Sequence, residues 1–80
     1  MTIKVLGAGC ANCKRLYQMV INTVAELDWA VDVQEIHDMK EIMQYKILGL
    51  PGLVIDEKVV FYGKVPSPVE LKKILVDHHG

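Results

Sequence analysis

The chain has no run of about 18 consecutive apolar residues, so it contains no candidate transmembrane helix. Its N-terminal residues, MTIKVLG, lack the apolar stretch of a secretory leader, and the expected compartment is therefore the cytoplasm. Basic residues are few and dispersed: nine Lys and Arg stand against ten Asp and Glu, for a formal net charge of -1. Lys4, Lys14, Arg15, Lys40, Lys46, Lys58, Lys64, Lys72 and Lys73 form no stripe of the kind that tracks a phosphate backbone, so nucleic acid is not an expected partner. Internal repeats, linkers and low-complexity segments are also lacking. Cysteine is scarce, with two in the whole chain.

Those two, Cys10 and Cys13, lie in the stretch GAGCANCK. A bridge between them closes a very short loop, and the entropy a crosslink removes from the unfolded chain grows with loop length, so the pair is poorly explained as a structural staple. None is needed. With 80 residues, 51% of them hydrophobic, the chain is one domain spanning residues 1–80 that can bury a core unaided. In a reducing compartment a CxxC points to redox or metal chemistry instead.

Thr2 to Leu6 is rich in branched residues and precedes glycine, which predicts a buried strand ending at Gly7-Ala8-Gly9. From Asn12 to Leu27, Cys13, Leu16, Val20, Val24 and Leu27 recur at helical spacing, and this phase puts Cys13 on the buried stripe with Cys10 one turn earlier at the helix entry. Val31 to Ile36 is a second strand. Asp38 and Glu41 resemble a capping box opening a short helix through about Lys46, with Met39, Ile42, Met43 and Ile47 on its core side. After Gly49-Leu50-Pro51-Gly52, the segments Leu53-Val54-Ile55 and Lys58 to Tyr62 flank Asp56-Glu57 as a hairpin. Ser67, Pro68 and Glu70 then supply the cap, first-turn proline and acid of a last helix that turns Leu71, Ile74 and Leu75 inward. The expected fold is α/β in the order βαβαββα, a four-stranded mixed sheet whose first two strands are parallel and last two antiparallel, flanked by three helices.

Thiol–disulfide exchange needs an accessible thiolate to attack and a second thiol close by to resolve the mixed disulfide. Cys10, at the helix entry, meets unpaired backbone N–H groups and the positive end of the helix dipole. Both stabilise its thiolate and lower its pKa below that of free cysteine. Cys13, more buried, is the resolving thiol. Two other readings stay open: a carrier of Cu(I) or zinc on the two thiolates, and a redox sensor without turnover. Zinc ordinarily takes four ligands, and His37, His78 and His79 are each read as solvent-exposed rather than as ligands, the last two in a frayed C-terminal end with Gly80. No metal or cofactor is therefore expected. Trp29, after the first helix, reads as a packing residue.

Gly9-Cys10-Ala11-Asn12-Cys13, Leu50-Pro51-Gly52 and the segment from Gly63 to Leu75 together resemble the small thioredoxin- and glutaredoxin-like redox-active disulfide proteins of archaea and bacteria, over nearly the whole length. The resemblance implies a thioredoxin-like fold and a thiol–disulfide oxidoreductase with Cys10 as nucleophile and Cys13 as resolving thiol. It also implies that Pro51 is a cis-proline facing the pair, against base rates. Ala11, Asn12, Leu50, Pro51 and Gly63 would then contact substrate, with the Leu50 backbone open to strand addition.

The expected partners are protein disulfides and a reductase that recharges the dithiol, acting on a monomer. The chain also departs from the family pattern. Gly9 stands where larger thioredoxins have tryptophan, and Ala11-Asn12 replaces a Gly-Pro spacer. Lys4 occupies the place of a buried acid six positions before the nucleophile, and is read as directed to solvent or snorkelling. Gly49-Leu50-Pro51 and Tyr62-Gly63-Lys64 differ from the glutaredoxin segments that hold glutathione, which favours a protein dithiol partner. Copper-binding heavy-metal-associated domains share the local CxxC but carry Met where this chain has Ala8. Their second strand also leads into a hairpin rather than into a capped helix.

Overall fold

The computed structural model describes residues 1–7 and 9–79; Ala8 and Gly80, both named above, lie outside the described residues. Seven elements follow one another: β1 (Thr2–Leu6), α1 (Ala11–Glu26), β2 (Asp32–Ile36), α2 (Met39–Met43), β3 (Gly52–Ile55), β4 (Lys58–Tyr62) and α3 (Pro68–His79). The order is the βαβαββα expected from the sequence.

The strands form one sheet in the order β2-β1-β3-β4. β1 pairs in parallel with β2 and antiparallel with β3, and β3 pairs antiparallel with β4. A parallel neighbour requires a crossover, which α1 provides. The β3–β4 connection is the two-residue turn Asp56-Glu57, both residues at positive φ (49° and 68°), which is the turn type whose twist matches a hairpin. A bulge between Leu53 and Val54 shifts the register, so Leu53 faces Phe61 while Val54 faces Val59.

Alternation along β1 divides the core in two. Ile3 and Val5 pack with Leu16, Val20 and Val24 of α1 and with Leu71 and Leu75 of α3. Leu6 faces the other way, onto Ile42 of α2 and Val54 of β3. Every residue of β3 is buried, as expected for an inner strand covered on both faces. The α1 stripe falls where its periodicity puts it: Cys13, Leu16, Val20 and Val24 are buried, joined by Thr23, whose hydroxyl donates to the Met19 carbonyl. Ser67 Oγ accepts the Glu70 N–H at the start of α3, as its sequence signature predicts.

Helix α2 is shorter than expected. Asp38 caps it through the Lys40 N–H, but the helix stops at Met43 and the chain turns through residues 44–46 to Lys46 at φ 57°. One helical turn can direct only one residue fully inward, and that residue is Ile42. Met39 and Met43, expected on the core side, are instead 48% and 69% exposed. No described helix is long and apolar enough to cross a membrane.

One close approach fixes how α1 leaves β1. Gly7 donates its N–H to the Ile36 carbonyl at 2.9 Å, which extends the sheet past Leu6. A Cβ added there would overlap Cys13 Cβ and lie 2.6 Å from its Sγ. The bare Cα of Gly7 is therefore what lets the buried end of α1 settle on the strand. We expect Gly7→Ala to destabilise the oxidised protein by about 1–3 kcal/mol, as overpacking does. Urea unfolding checks this; a stability equal to wild type would show that the approach can relax at no cost.

Candidate functional site

Cys10 is the N-cap of α1, with extended backbone (φ -77°, ψ 157°), and its Sγ accepts the Cys13 N–H at 3.1 Å. Sulfur here takes the place of the oxygen that usually caps a helix. The two cysteines are oxidised, with S–S 2.05 Å and Cα–Cα 5.1 Å. They are not equivalent. Cys10 is exposed whereas Cys13 is 2% exposed, so a reagent from solvent reaches one sulfur and not the other. Ala11 and Asn12 are exposed in the first turn between them.

Sheet register gathers the rest of the site at the carboxyl end of β1. Leu6 is the last β1 residue to pair with β3, opposite Gly52; Gly7 follows Leu6 and lies against Cys13, and Pro51 precedes Gly52. The Leu50–Pro51 peptide bond is cis, as the resemblance implies. Pro51 is buried and Leu50 half-buried. Gly63, at φ 76°, donates its N–H to the Pro51 carbonyl at 2.8 Å, and so ties the end of β4 to the proline loop. Thus Pro51 meets Gly63, and Cys13 meets Gly7, through contacts that sequence spacing could not connect. Gly7 belongs with them and was not singled out from the sequence; its one signal was a glycine directly after a strand.

Beside the proline loop lies an open apolar cup lined by Met39, Ile42, Met43, Ile47, Leu48 and Leu50. Its rim is unusually bare: Leu48 is 89% exposed and Met43 69%. Met39 and Met43, the first and last residues of α2, stand at the edge of the cup.

Lys4 does snorkel, but to a defined partner. Its Nζ lies 2.6 Å from Glu57 Oε1 and 3.2 Å from the Tyr45 hydroxyl, which in turn donates to Glu57 Oε2 at 3.2 Å. These bonds raise the Lys4 pKa above its ordinary 10.5, the Glu57 bond contributing most, and the Lys4 bond holds the Glu57 carboxyl below its ordinary 4.5. The ammonium is thus engaged at the hairpin turn, and supplies no proton acceptor to Cys13.

His37 Nε2 lies 2.9 Å from Glu35, and His78 Nδ1 lies 2.8 Å from the Ile74 carbonyl. His78 and His79 are exposed as expected, yet they are not frayed: both lie within α3, and His79 stacks on Trp29 with ring centroids 4.0 Å apart. Trp29 packs against the larger core, as expected. Among the described residues no group of three or more His, Cys, Asp or Glu side chains converges in a metal-binding arrangement.

A sequence profile described as "Thioredoxin domain" matches residues 1–76. A thioredoxin of Methanothermobacter thermautotrophicus is 37% identical over 75 residues, covering 94% of this chain and 97% of its own. A thioredoxin of Methanocaldococcus jannaschii is 33% identical over 75 residues, covering 94% of this chain and 86% of its own. Among solved structures, thioredoxin 1 of Thermosipho africanus TCF52B superposes with a TM-score of 0.68 at 17% identity, over 98% of this chain and 93% of that one, which shows a common fold. The likeness extends to the sequence as well as the backbone, over nearly the full length of the Methanothermobacter relative. The chain therefore belongs to the thioredoxin domain family and is a thiol–disulfide oxidoreductase working through its CxxC pair.

Proposed function

We propose that Cys10 is the attacking thiol and Cys13 the resolving thiol of a protein-disulfide reductase, and that the substrate chain docks along Leu50 and Pro51. The observation that carries the assignment is the asymmetry at the start of α1: one sulfur exposed at the N-cap and accepting a backbone N–H, the other buried against Gly7. A thiolate on Cys10 keeps that N–H and the positive end of a sixteen-residue helix, so it is the better stabilised of the two.

The electron count follows from the geometry. In the reduced protein the Cys10 thiolate attacks one sulfur of a substrate disulfide, forming a mixed disulfide and expelling the other substrate sulfur as thiolate. Cys13 then loses its proton and attacks Cys10 Sγ, which restores the Cys10–Cys13 disulfide and releases the second substrate thiolate. Two electrons pass from the protein to the substrate, and a partner reductase returns them. The exposed cup of Met39, Met43 and Leu48 beside Leu50 suits a substrate with an apolar side chain next to its cysteine, held by main-chain pairing at the proline loop. The same features favour a protein over glutathione as the dithiol partner.

Alkylation of the reduced protein with iodoacetamide across pH should show one fast thiol, Cys10, with a midpoint below that of free cysteine. A normal midpoint, or equal rates at both thiols, would sink the assignment. Cys13→Ser should accumulate mixed disulfides with protein substrates while Cys10→Ser accumulates none; failure of Cys13→Ser to trap any partner would count against exchange with proteins. Met43→Glu and Leu48→Glu should each raise KM for insulin reduction about three- to tenfold, leaving reduction of a small aromatic disulfide unchanged, as loss of roughly a kcal/mol of apolar contact requires.

A further inference from the structure

The junction of Lys4, Tyr45 and Glu57 joins three elements that are far apart in sequence. Lys4 comes from β1, the strand that ends at Gly7; Glu57 comes from the β3–β4 turn; Tyr45 comes from the turn that follows α2. Each member bonds the other two, at 2.6 Å for the ion pair and 3.2 Å for both bonds to the tyrosine hydroxyl. The Lys4 ammonium also lies 5.9 Å from the centre of the Tyr45 ring.

The consequence lies in what Tyr45 holds. Its ring packs against the smaller core cluster of Leu6, Ile42 and Val54, alongside Ile47 and Leu50. Residues 46 to 51, which contain Leu48 of the cup and the Leu50–Pro51 platform, run from that anchored ring to the start of β3. At its far end Pro51 is tied by the Gly63 N–H. Between the two attachments there is no regular element, and the segment is otherwise held only where Ile47 and Leu50 pack on the same cluster as the ring.

Resting on the reading that substrates dock along Leu50 and Pro51, we propose that Lys4, Tyr45 and Glu57 are positioning residues for substrate binding. They clamp the segment that receives the substrate chain, and Lys4, in the place where larger thioredoxins have a buried acid, serves the binding loop rather than proton transfer. The clamp persists at neutral pH, since the Glu57 carboxyl ionises below its ordinary value and the Lys4 ammonium is held above its own.

The test uses Tyr45→Phe, which keeps the ring and removes the hydroxyl, with Lys4→Met and Lys4→Arg beside it. For insulin reduction, Tyr45→Phe and Lys4→Met should raise KM about three- to fivefold with kcat within about twofold, and Lys4→Arg should restore most of the loss. The pH profile of Cys10 alkylation should not move in any of them. Hydrogen exchange supplies a readout independent of substrate: backbone amides between Ile47 and Leu50 should exchange several-fold faster in Tyr45→Phe, while those of α1 stay unchanged. Unchanged KM together with unchanged exchange at residues 47–50 would overturn the proposal. So would a shifted alkylation profile in Lys4→Met at unchanged KM, which would make Lys4 an electrostatic partner of the thiol. If the wild-type protein fails to reduce insulin or any protein disulfide, the docking reading falls by itself, and the exchange data still decide whether the clamp holds the segment.

Discussion

The site depends on one steric allowance, the absence of a side chain at Gly7. Helix α1 has to begin beside the end of β1 with its first buried residue pressed onto the strand, and that residue is the second cysteine. Any Cβ at Gly7 would push Cys13 outward. Because Cys10 is the cap of the same helix, moving Cys13 would also move the sulfur that accepts its N–H. The exposure of one thiol and the burial of the other are thus two consequences of a single contact. Gly7 also follows the last pair of the β1–β3 ladder, Leu6 with Gly52, and Gly52 in turn follows Pro51.

Around that contact the protein arranges two kinds of surface. At the helix start, backbone N–H groups and the dipole of α1 face an exposed sulfur, an environment suited to a thiolate. At the proline loop, apolar side chains stand unusually bare, and main-chain groups are held at both ends of an irregular segment. The ion pair of Lys4 with Glu57 sits at the hairpin turn, where it ties β1 to the β3–β4 connection. The exposed sulfur and the bare apolar surface thus differ in physical character.

Much of this was legible in the sequence because the informative signals are local. The α1 stripe follows from a 3.6-residue period, so the burial of Cys13 relative to Cys10 could be read without coordinates. The Asp56-Glu57 turn and the Ser67 cap follow from turn and cap chemistry within a few residues. The α2 segment failed for the same reason in reverse. Four apolar residues at helical spacing predicted a longer helix packed through Met39 and Met43, but periodicity cannot tell whether there is core to receive them. The chain instead closes one turn on Ile42 and leaves the methionines at the surface. The histidines at the end of α3 show a similar limit, since His79 is ordered by a Trp29 ring fifty residues away in sequence.

By itself, then, the sequence determined the element order, the unequal burial of two cysteines three residues apart, and, through resemblance, the cis bond at Pro51. The first two are consequences of spacing, capping and turn chemistry, all short-range, whereas the cis bond came from the resemblance alone. Only the tertiary structure decided what surrounds them: that Gly7 is the surface Cys13 rests on, that Gly63 holds the Pro51 carbonyl, that Lys4 finds Tyr45 and Glu57, and that an apolar cup opens beside Leu50. Each of these joins residues brought together by strand pairing or by the packing of a helix end, and such contacts leave no periodic trace along the chain.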